Sequence, residues 1–264
     1  MAILLEEFDE SKHAIIEPEM VAPPLKQFPK TAVTCFSSRL LNTVLEKTEK
    51  ELLCTLDTED GGTPVYRISY QGTEMAVYMS RVGAPACVVQ MEEMIARGAE
   101  NFVVFGSCGV LDRNLGKWHI IIPVSAMRDE GVSYHYLPPS DEIEAEADCI
   151  EILKGVFEKY EEPYVCGKVW TTDAIYRETV EKTAKRKQQG CIAVDMECAS
   201  LFAVARFRQV ALMQFFYAED NLDVEVWDHR GLSRGVHTKA EYLFEMAQAC
   251  AKRHEELIEN KEIL

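Results

Sequence analysis

The chain has 264 residues, 47% of them hydrophobic, enough to bury a sizeable core in a single α/β unit. Lys and Arg number 28 against 44 Asp and Glu, a formal net charge of −16, which argues against a nucleic-acid surface and obliges any anionic ligand to find a locally basic pocket. The nine cysteines are scattered, several of them in apolar stretches (Cys87, Cys108, Cys191, Cys198), a pattern of buried free thiols in a reducing cytoplasm. No C-x-x-C pair and no close His spacing suggests a metal, so no metal and no cofactor is expected. No apolar run approaches membrane-spanning length, and Met1–Glu7 is too acidic for a signal peptide, so a cytoplasmic protein without a membrane partner is expected.

Residues 1–30, with Pro18, Pro23, Pro24 and Pro29, read as an extended arm, and residues 31–264 as the folded domain. A strand is predicted over Thr31–Phe36 and a helix over Arg39–Lys50. Two strands, Pro64–Tyr70 and Glu74–Ser80, join at Gln71-Gly72, a hairpin signal. Pro85 opens a helix that Gly98 closes. A buried strand over residues 101–105 breaks at the glycines flanking Ser107 and Cys108, and an apolar strand covers His119–Met127. The mixed aromatic and charged stretch Arg128–Pro139 reads either as a pocket wall or lid or as a subunit-contact loop. An acidic helix near Asp141–Tyr160, a strand at Tyr164–Val169 and a charged helix over Arg177–Gln189 follow. Strands at Cys191–Val194 and Gln214–Asn221 bracket a helix over Met196–Arg208 with an apolar stripe of Leu201, Phe202, Val204 and Ala205. A last helix starts near Thr238. Strands alternating with helices predict an α/β fold, one domain with a mixed central sheet flanked by helices as a three-layer sandwich.

Three segments carry candidate chemistry. Val194-Asp195-Met196-Glu197 sets a carboxylate at a helix mouth directly behind a strand, where open α/β sheets bind ligands. Glu197 there can accept hydrogen bonds from two neighbouring hydroxyls, as on a ribose, or can simply complement the helix N-terminus. Gly106-Ser107-Cys108-Gly109 lets backbone N–H groups and a hydroxyl approach an anion or a sugar. Glu219-Asp220 ends the last strand, with Asp220 a candidate general acid or plain solvated loop.

In this order the three segments resemble the hexameric-type nucleoside phosphorylase family, which also holds uridine phosphorylases and related nucleosidases. The resemblance runs from about Thr31 to the C-terminal helix, and Val-Asp-Met-Glu at 194–197 is its most specific motif. It implies a phosphorylase-like fold and cleavage of a nucleoside by inorganic phosphate to free base and ribose 1-phosphate. It implies that Glu197 and Met196 hold the ribose, that Ser107 contacts phosphate, that Cys108 and Gly109 border the base, and that Asp220 protonates a purine's imidazole nitrogen. It also implies a homo-oligomer, a dimer or trimer of dimers, in which an arm histidine, here His13, reaches the neighbour's sugar.

The departures are equally definite. The family's Gly-Asp-Pro-x-Arg loop is replaced by Cys35-Phe36-Ser37-Ser38-Arg39, and the arginine before the glycine turn by Val104. Ser38, Arg39 and Arg81 are the remaining candidates for phosphate, Arg81 alternatively forming a surface ion pair. The Gln-x-Arg reader of uridine phosphorylases has no match at Thr171–Glu178, where Tyr176 can stack on a base and Arg177 and Glu178 can read its edge or face solvent. Purine is thus favoured over uridine. Alternatives are a uridine phosphorylase, a nucleosidase, though no acid lies between Val33 and Leu45 to activate water, and a non-catalytic nucleoside-binding protein on the same fold.

Overall fold

The computed structural model describes residues 3–59, 61–232 and 234–262, so the ends of the expected arm and domain, residues 1–2 and 263–264, lie outside the described residues. Within the arm, Pro18–Val21 forms a short helix (α1), with proline in its first turn, where a missing N–H costs nothing. Strand β1 (Thr31–Cys35) leads through the capping hydroxyl of Ser37, which accepts from Leu40 N, into α2 (Ser38–Leu45). A meander of β2 (Glu51–Thr58), β3 (Gly61–Tyr70) and β4 (Thr73–Met79) follows, then α3 (Ala84–Arg97) and β5 (Asn101–Val110). Next come β6 (Ile120–Asp129), α4 (Ser133–Tyr136), β7 (Glu142–Glu144), α5 (Ala147–Lys159) and β8 (Tyr164–Thr172). The last third holds α6 (Val180–Gln188), β9 (Cys191–Asp195), α7 (Cys198–Arg208), β10 (Ala211–Asn221) and α8 (Val236–Glu262).

Strict alternation on the central strands divides the core into two layers. Phe102 and Val104 of β5, with Leu212 and Phe216 of β10, face the layer that contains α3 and α7. Val103 and Phe105, with Met213, Phe215 and Tyr217, face the layer of α2, α5 and α8. The sheet is mixed. Its strands run β10-β6-β8-β9-β5-β1-β4-β3-β2, and β10 also pairs directly with β5. The pairing β5-β10-β6-β8-β9 therefore closes on itself, with β5 as the shared strand, while β1, β4, β3 and β2 extend from it as an open wing.

Several expectations are corrected by this architecture. The strand expected to stop near Phe105 continues to Val110: residues 101–105 pair with β1, and Gly109 and Val110 pair with β9. The glycines do not end the strand but let it change partners. A Cβ on Gly106 would stand 2.8 Å from the Phe36 ring, and one on Gly109 2.5 Å from Leu222 Cδ1. Strand β2, absent from the predicted elements, exists because it pairs with β3, although its own residues are mostly exposed or half-buried. Helix α2 ends at Leu45, short of Lys50. The charged helix begins at Val180, where Thr179 accepts from Lys182 N, and not at Arg177. Helix α7 begins at Cys198 and has no single apolar stripe: every residue from Cys198 to Ala205 is buried, because the helix is enclosed between the sheet, α3 and α4. None of the stretch 128–139 lines the cavity at the ends of β5, β9 and β10, and the buried Arg128 guanidinium holds its turn by donating to Ser133 Oγ, Pro138 O, Leu137 O and Ser140 Oγ.

No helix among the described residues is long and apolar enough to cross a membrane. All nine cysteines are unpaired, seven of them buried.

The tightest aromatic packing lies under the β5–β10 pair. Phe215 stacks on Phe105 at 5.3 Å and meets Phe157 edge-on at 5.2 Å. Phe215→Ala is expected to cost about 3–5 kcal/mol, seen as a lower urea midpoint with an unchanged denaturant slope.

Candidate active site

The site begins with a buried carboxylate that is not itself among the predicted contacts. Asp195, the last residue of β9, accepts from Glu197 N at 2.8 Å, Cys198 N at 2.6 Å and the Thr171 hydroxyl at 2.8 Å. Two of these donors are otherwise unpaired N–H groups at the start of α7, so Asp195 fixes how the helix leaves the strand. Glu197 then occupies the helix N-cap position, and its Oε1 accepts from Gly83 N at 2.6 Å. Gly83 is the N-cap of α3 and has φ of +98°, a conformation that favours glycine and aims its N–H at the carboxylate. Two helix N-termini thus converge on Glu197. Burial, reinforced by Asp195, nevertheless pushes the Glu197 carboxyl up to about 8. Burial also raises Asp195, to about 6, against the lowering effect of its three donors. The three donors keep the Asp195 carboxyl the more readily ionised of the two.

Glu197 opens onto a cavity of about 910 Å³ bounded by the ends of β5, β9 and β10, the start of α6 and the loop after β10. Ser107, Cys108 and Gly109 form its β5 wall, and Val194, Asp195 and Met196 its β9 wall. Gly109 brings the walls together: a Cβ there would stand 3.1 Å from Val194 Cγ1 and 3.3 Å from Asp220 Oδ1. Asp220 is half-buried at the end of β10, where Trp227 Nε1 donates to its Oδ2 at 2.7 Å. Its neighbour Glu219 alternates to the opposite side of the strand, away from the cavity, with Lys117 Nζ 3.8 Å from its Oε1.

The cavity is acidic. Glu178, Asp195, Glu197, Asp220, Asp223 and Glu225 line it against two cations, Arg113 and Lys187. Both cations are committed to Asp223, Arg113 through Nε at 3.2 Å and Lys187 through Nζ. They hold the Asp223 carboxyl far below the usual carboxylate range and tie the loop after β10 to β5 and α6. Among the described residues no cluster of His, Cys, Asp and Glu is arranged to hold a metal ion.

Of the residues singled out from sequence, Ser107, Cys108, Gly109, Tyr176, Met196, Glu197 and Asp220 come together around the cavity. The Cys108 thiol is buried behind the wall, 3.9 Å from the Tyr217 carbonyl, so the residue borders the space mainly through its backbone. Tyr176 is 96% exposed at the rim and stacks on no ring among the described residues. Ser38, Arg39, Arg81, Arg177 and His13 do not line the cavity. Ser38 and Arg39 are exposed at the start of α2 because Ser37, not Ser38, turns inward as the cap. The Arg81 guanidinium donates to the Gly61 carbonyl. Arg177 is exposed on a 3₁₀ turn, and His13 lies on the arm 3.5 Å from Glu17. Sequence reasoning missed Asp195 as the organiser, Gly83, Trp227 and the Arg113–Asp223–Lys187 clasp. Only Asp195 left a trace, as an acid immediately before a helix start.

Glu197 has a pH signature that can be checked directly. Its folded value near 8 lies above the ordinary 4.5, so between those limits the folded chain binds more protons than the unfolded one. This site therefore lowers stability as pH rises through that window. Glu197→Gln is expected to melt above the wild type at pH 8 and higher, with the gap closing toward pH 4.5, in a thermal-melt series across that range.

A guanosine phosphorylase of Halorubrum lacusprofundi is 28% identical over 142 residues, 54% of this chain and 59% of the relative. A DeoD-type purine nucleoside phosphorylase of Bacillus cytotoxicus is 25% identical over 158 residues, 58% of this chain and 66% of the relative. The chain thus spans about six-tenths of the length of the curated relatives it matches. Among solved structures, a purine nucleoside phosphorylase from Toxoplasma gondii in complex with immucillin-H superposes with a TM-score of 0.73 at 16% identity, over 87% of this chain and 94% of that one. A uridine phosphorylase from Vibrio fischeri also gives 0.73, at 22% identity, over 87% and 93%. These likenesses show a shared fold over most of the chain. The phosphorylase superfamily model matches residues 30–259, and the chain belongs to that superfamily.

Proposed function

We propose that the cavity is the site of a nucleoside phosphorylase that takes a nucleoside and inorganic phosphate to free base and ribose 1-phosphate, with purines favoured. The observation that carries this is the placing of two carboxylates, Glu197 and Asp220, on one cavity at the ends of separate strands, with the backbone of Gly109 between them. The relatives named for guanosine and purine nucleosides support the purine preference.

In this reading Glu197 accepts hydrogen bonds from the ribose hydroxyls and Met196 packs against the sugar. Phosphate approaches beside the Ser107 hydroxyl on β5. Its oxygen forms the new bond to the anomeric carbon as the bond to the base breaks and its electron pair passes to the purine ring. The transition state resembles an oxocarbenium ion. Asp220, steadied by Trp227, donates its proton to the imidazole nitrogen of the departing base. Tyr176 at the rim covers the base. Arg113 and Lys187 are paired with Asp223, and Ser38, Arg39 and Arg81 stand off the cavity. The charge for phosphate therefore comes from a neighbouring copy, whose His13 arm also completes the sugar side of a shared site in a homo-oligomer.

Base release from inosine, adenosine, guanosine and uridine, each with and without phosphate, tests the reading. Phosphate-dependent release from the purine nucleosides is expected. Release from uridine alone keeps the reaction and overturns the base preference. Release without phosphate makes the protein a nucleosidase, and binding without release makes it a nucleoside-binding protein. Asp220→Asn is expected to lower purine kcat at least about tenfold with nucleoside binding retained, and unchanged kinetics would remove Asp220 from the chemistry. Ribose hydroxyls favour the ionised form of Glu197, so KM for the nucleoside is expected to fall as pH rises toward about 8.

A further inference from the structure

The cavity extends well past the carboxylates assigned to the nucleoside. Val180, Thr183, Ala184 and Lys187 of α6 all line it, and steps of three and four residues put them on one face of the helix. That face runs for two helical turns, about 10 Å. Its direction follows from the sheet. β8 and β9 are parallel, with Thr171 opposite Asp195, and α6 is the crossover between them. The start of α6 therefore lies at the Asp195 end of β9, and its last turn at the Cys191 end. The facing wall runs the same way. Gly109 pairs with Val194, Leu222 N donates to Val110 O, Leu111 N donates to Ile192 O, and Arg113 follows. Asp220 is thus level with Val194, near Glu197, whereas Arg113, Asp223 and Lys187 close the far end beyond Leu222.

The far end differs in chemistry from the rest of this acidic space. Two cations meet one carboxylate there. Asp223 accepts from Arg113 Nε at 3.2 Å, from Arg113 Nη2 at 3.4 Å and from Lys187 Nζ. A guanidinium carries five N–H groups and an ammonium three, so the clasp has donors for a second acceptor. Glu225, two residues on, is exposed and pairs with neither cation among the described residues. Between Asp220 and the clasp the lining, Thr183, Ala184 and Leu222, carries no charge. In a purine, the imidazole nitrogen and the 6-substituent share one edge, and the 6-substituent lies on the side away from the sugar. With that nitrogen at Asp220, a group attached at position 6 enters the uncharged throat between α6 and Leu222. A bare oxo or amino group leaves the last turn of α6 unfilled, about 5 Å, the reach of an arm a few bonds long. We propose that this lobe receives such an arm ending in a carboxylate, held by Arg113 and Lys187, and that the preferred substrates are purine nucleosides with an acidic side arm on the base. The inference rests on the nucleoside-site reading above and names its substrate class.

The test uses N6-succinyladenosine, its dimethyl ester, which keeps the arm without the charge, and adenosine. Each is measured by calorimetric affinity without phosphate and by kcat/KM with it, on the wild type and on Lys187→Met and Arg113→Met. The wild type is expected to bind the acid at least about tenfold more tightly than the ester, the scale of a hydrogen-bonded charge partner. Arg113 is 66% exposed and Lys187 36%, so this advantage is expected to shrink as salt is raised. Each variant is expected to cut the acid-to-ester ratio at least about fivefold. Because each ratio is taken on one preparation, a loss of folded protein cancels. A wild type that binds acid and ester alike, or adenosine more tightly than both, overturns the proposal. So does a ratio that both variants leave within about twofold of the wild type. If the acid is preferred and the variants abolish that preference, yet no nucleoside is cleaved with phosphate, the phosphorylase reading fails and the arm subsite stands. If adenosine is cleaved with phosphate while acid and ester are handled alike, the subsite fails and the phosphorylase reading stands.

Discussion

The site hangs on a single buried acceptor. Asp195 collects two N–H groups from the start of α7 and the hydroxyl of Thr171 from β8, and so locks together a strand, its neighbour and the helix between the layers. Thr171 in turn accepts from Ala199 N at 3.0 Å, which extends the lock one residue further along the helix. Everything functional follows from that geometry. Glu197 is pinned at the helix mouth, Met196 is left facing the cavity, and the Gly83 amide of α3 finds its acceptor. An apolar residue at 195 would leave the first turn of α7 without partners in a buried setting, where unmade hydrogen bonds are expensive.

The electrostatics of the cavity run against its ligand chemistry in an instructive way. A chain of net charge −16 concentrates six carboxylates in one space, and among the described residues one of the six, Asp223, pairs with the two cations that line it. The acids are separated by role through their surroundings. Donors keep Asp195 lower than Glu197, cations keep Asp223 ionised, and burial lifts Glu197 and Glu178 toward neutrality. Environment, not residue type, differentiates them.

How much of this was legible in the chain depends on the range of the interaction. The alternation in β5 and β10 and the strand–acid–helix pattern at 191–197 are local, and both strand identity and the location of the site followed from them. Glu197, Met196, Ser107, Gly109 and Asp220 were found because each stands at a strand end, where a motif and a cavity coincide. Strand β2 was missed because its few inward residues give no period, and it is held by a partner strand. The true course of β5 was missed because glycine marks both a turn and a close approach, and only the positions of Phe36 and Leu222 distinguish them. That Arg39 and Arg81 stand off the cavity was hidden for a related reason: a helix start and a strand end were visible, but not the direction in which each side chain leaves. Trp227 reaches back to Asp220 within an irregular loop and the Asp223 clasp joins that loop to distant residues, and no regular period announces either.

The closure of β5-β10-β6-β8-β9 has a consequence for how the molecule comes into being. Strand β5 at residue 101 meets β10 at residue 211, so the ring is sealed only after more than a hundred intervening residues have been gathered. Contacts of such sequence separation form slowly and late. A nascent chain emerging N-terminus first holds β1 to β6 before β10 exists, and the apolar faces of β5 and β6 lack that partner until it arrives. The cavity, built from the ends of β5, β9 and β10, has no partial form. Synthesis of the last third of the protein is thus the moment at which both aggregation risk ends and a binding site first exists.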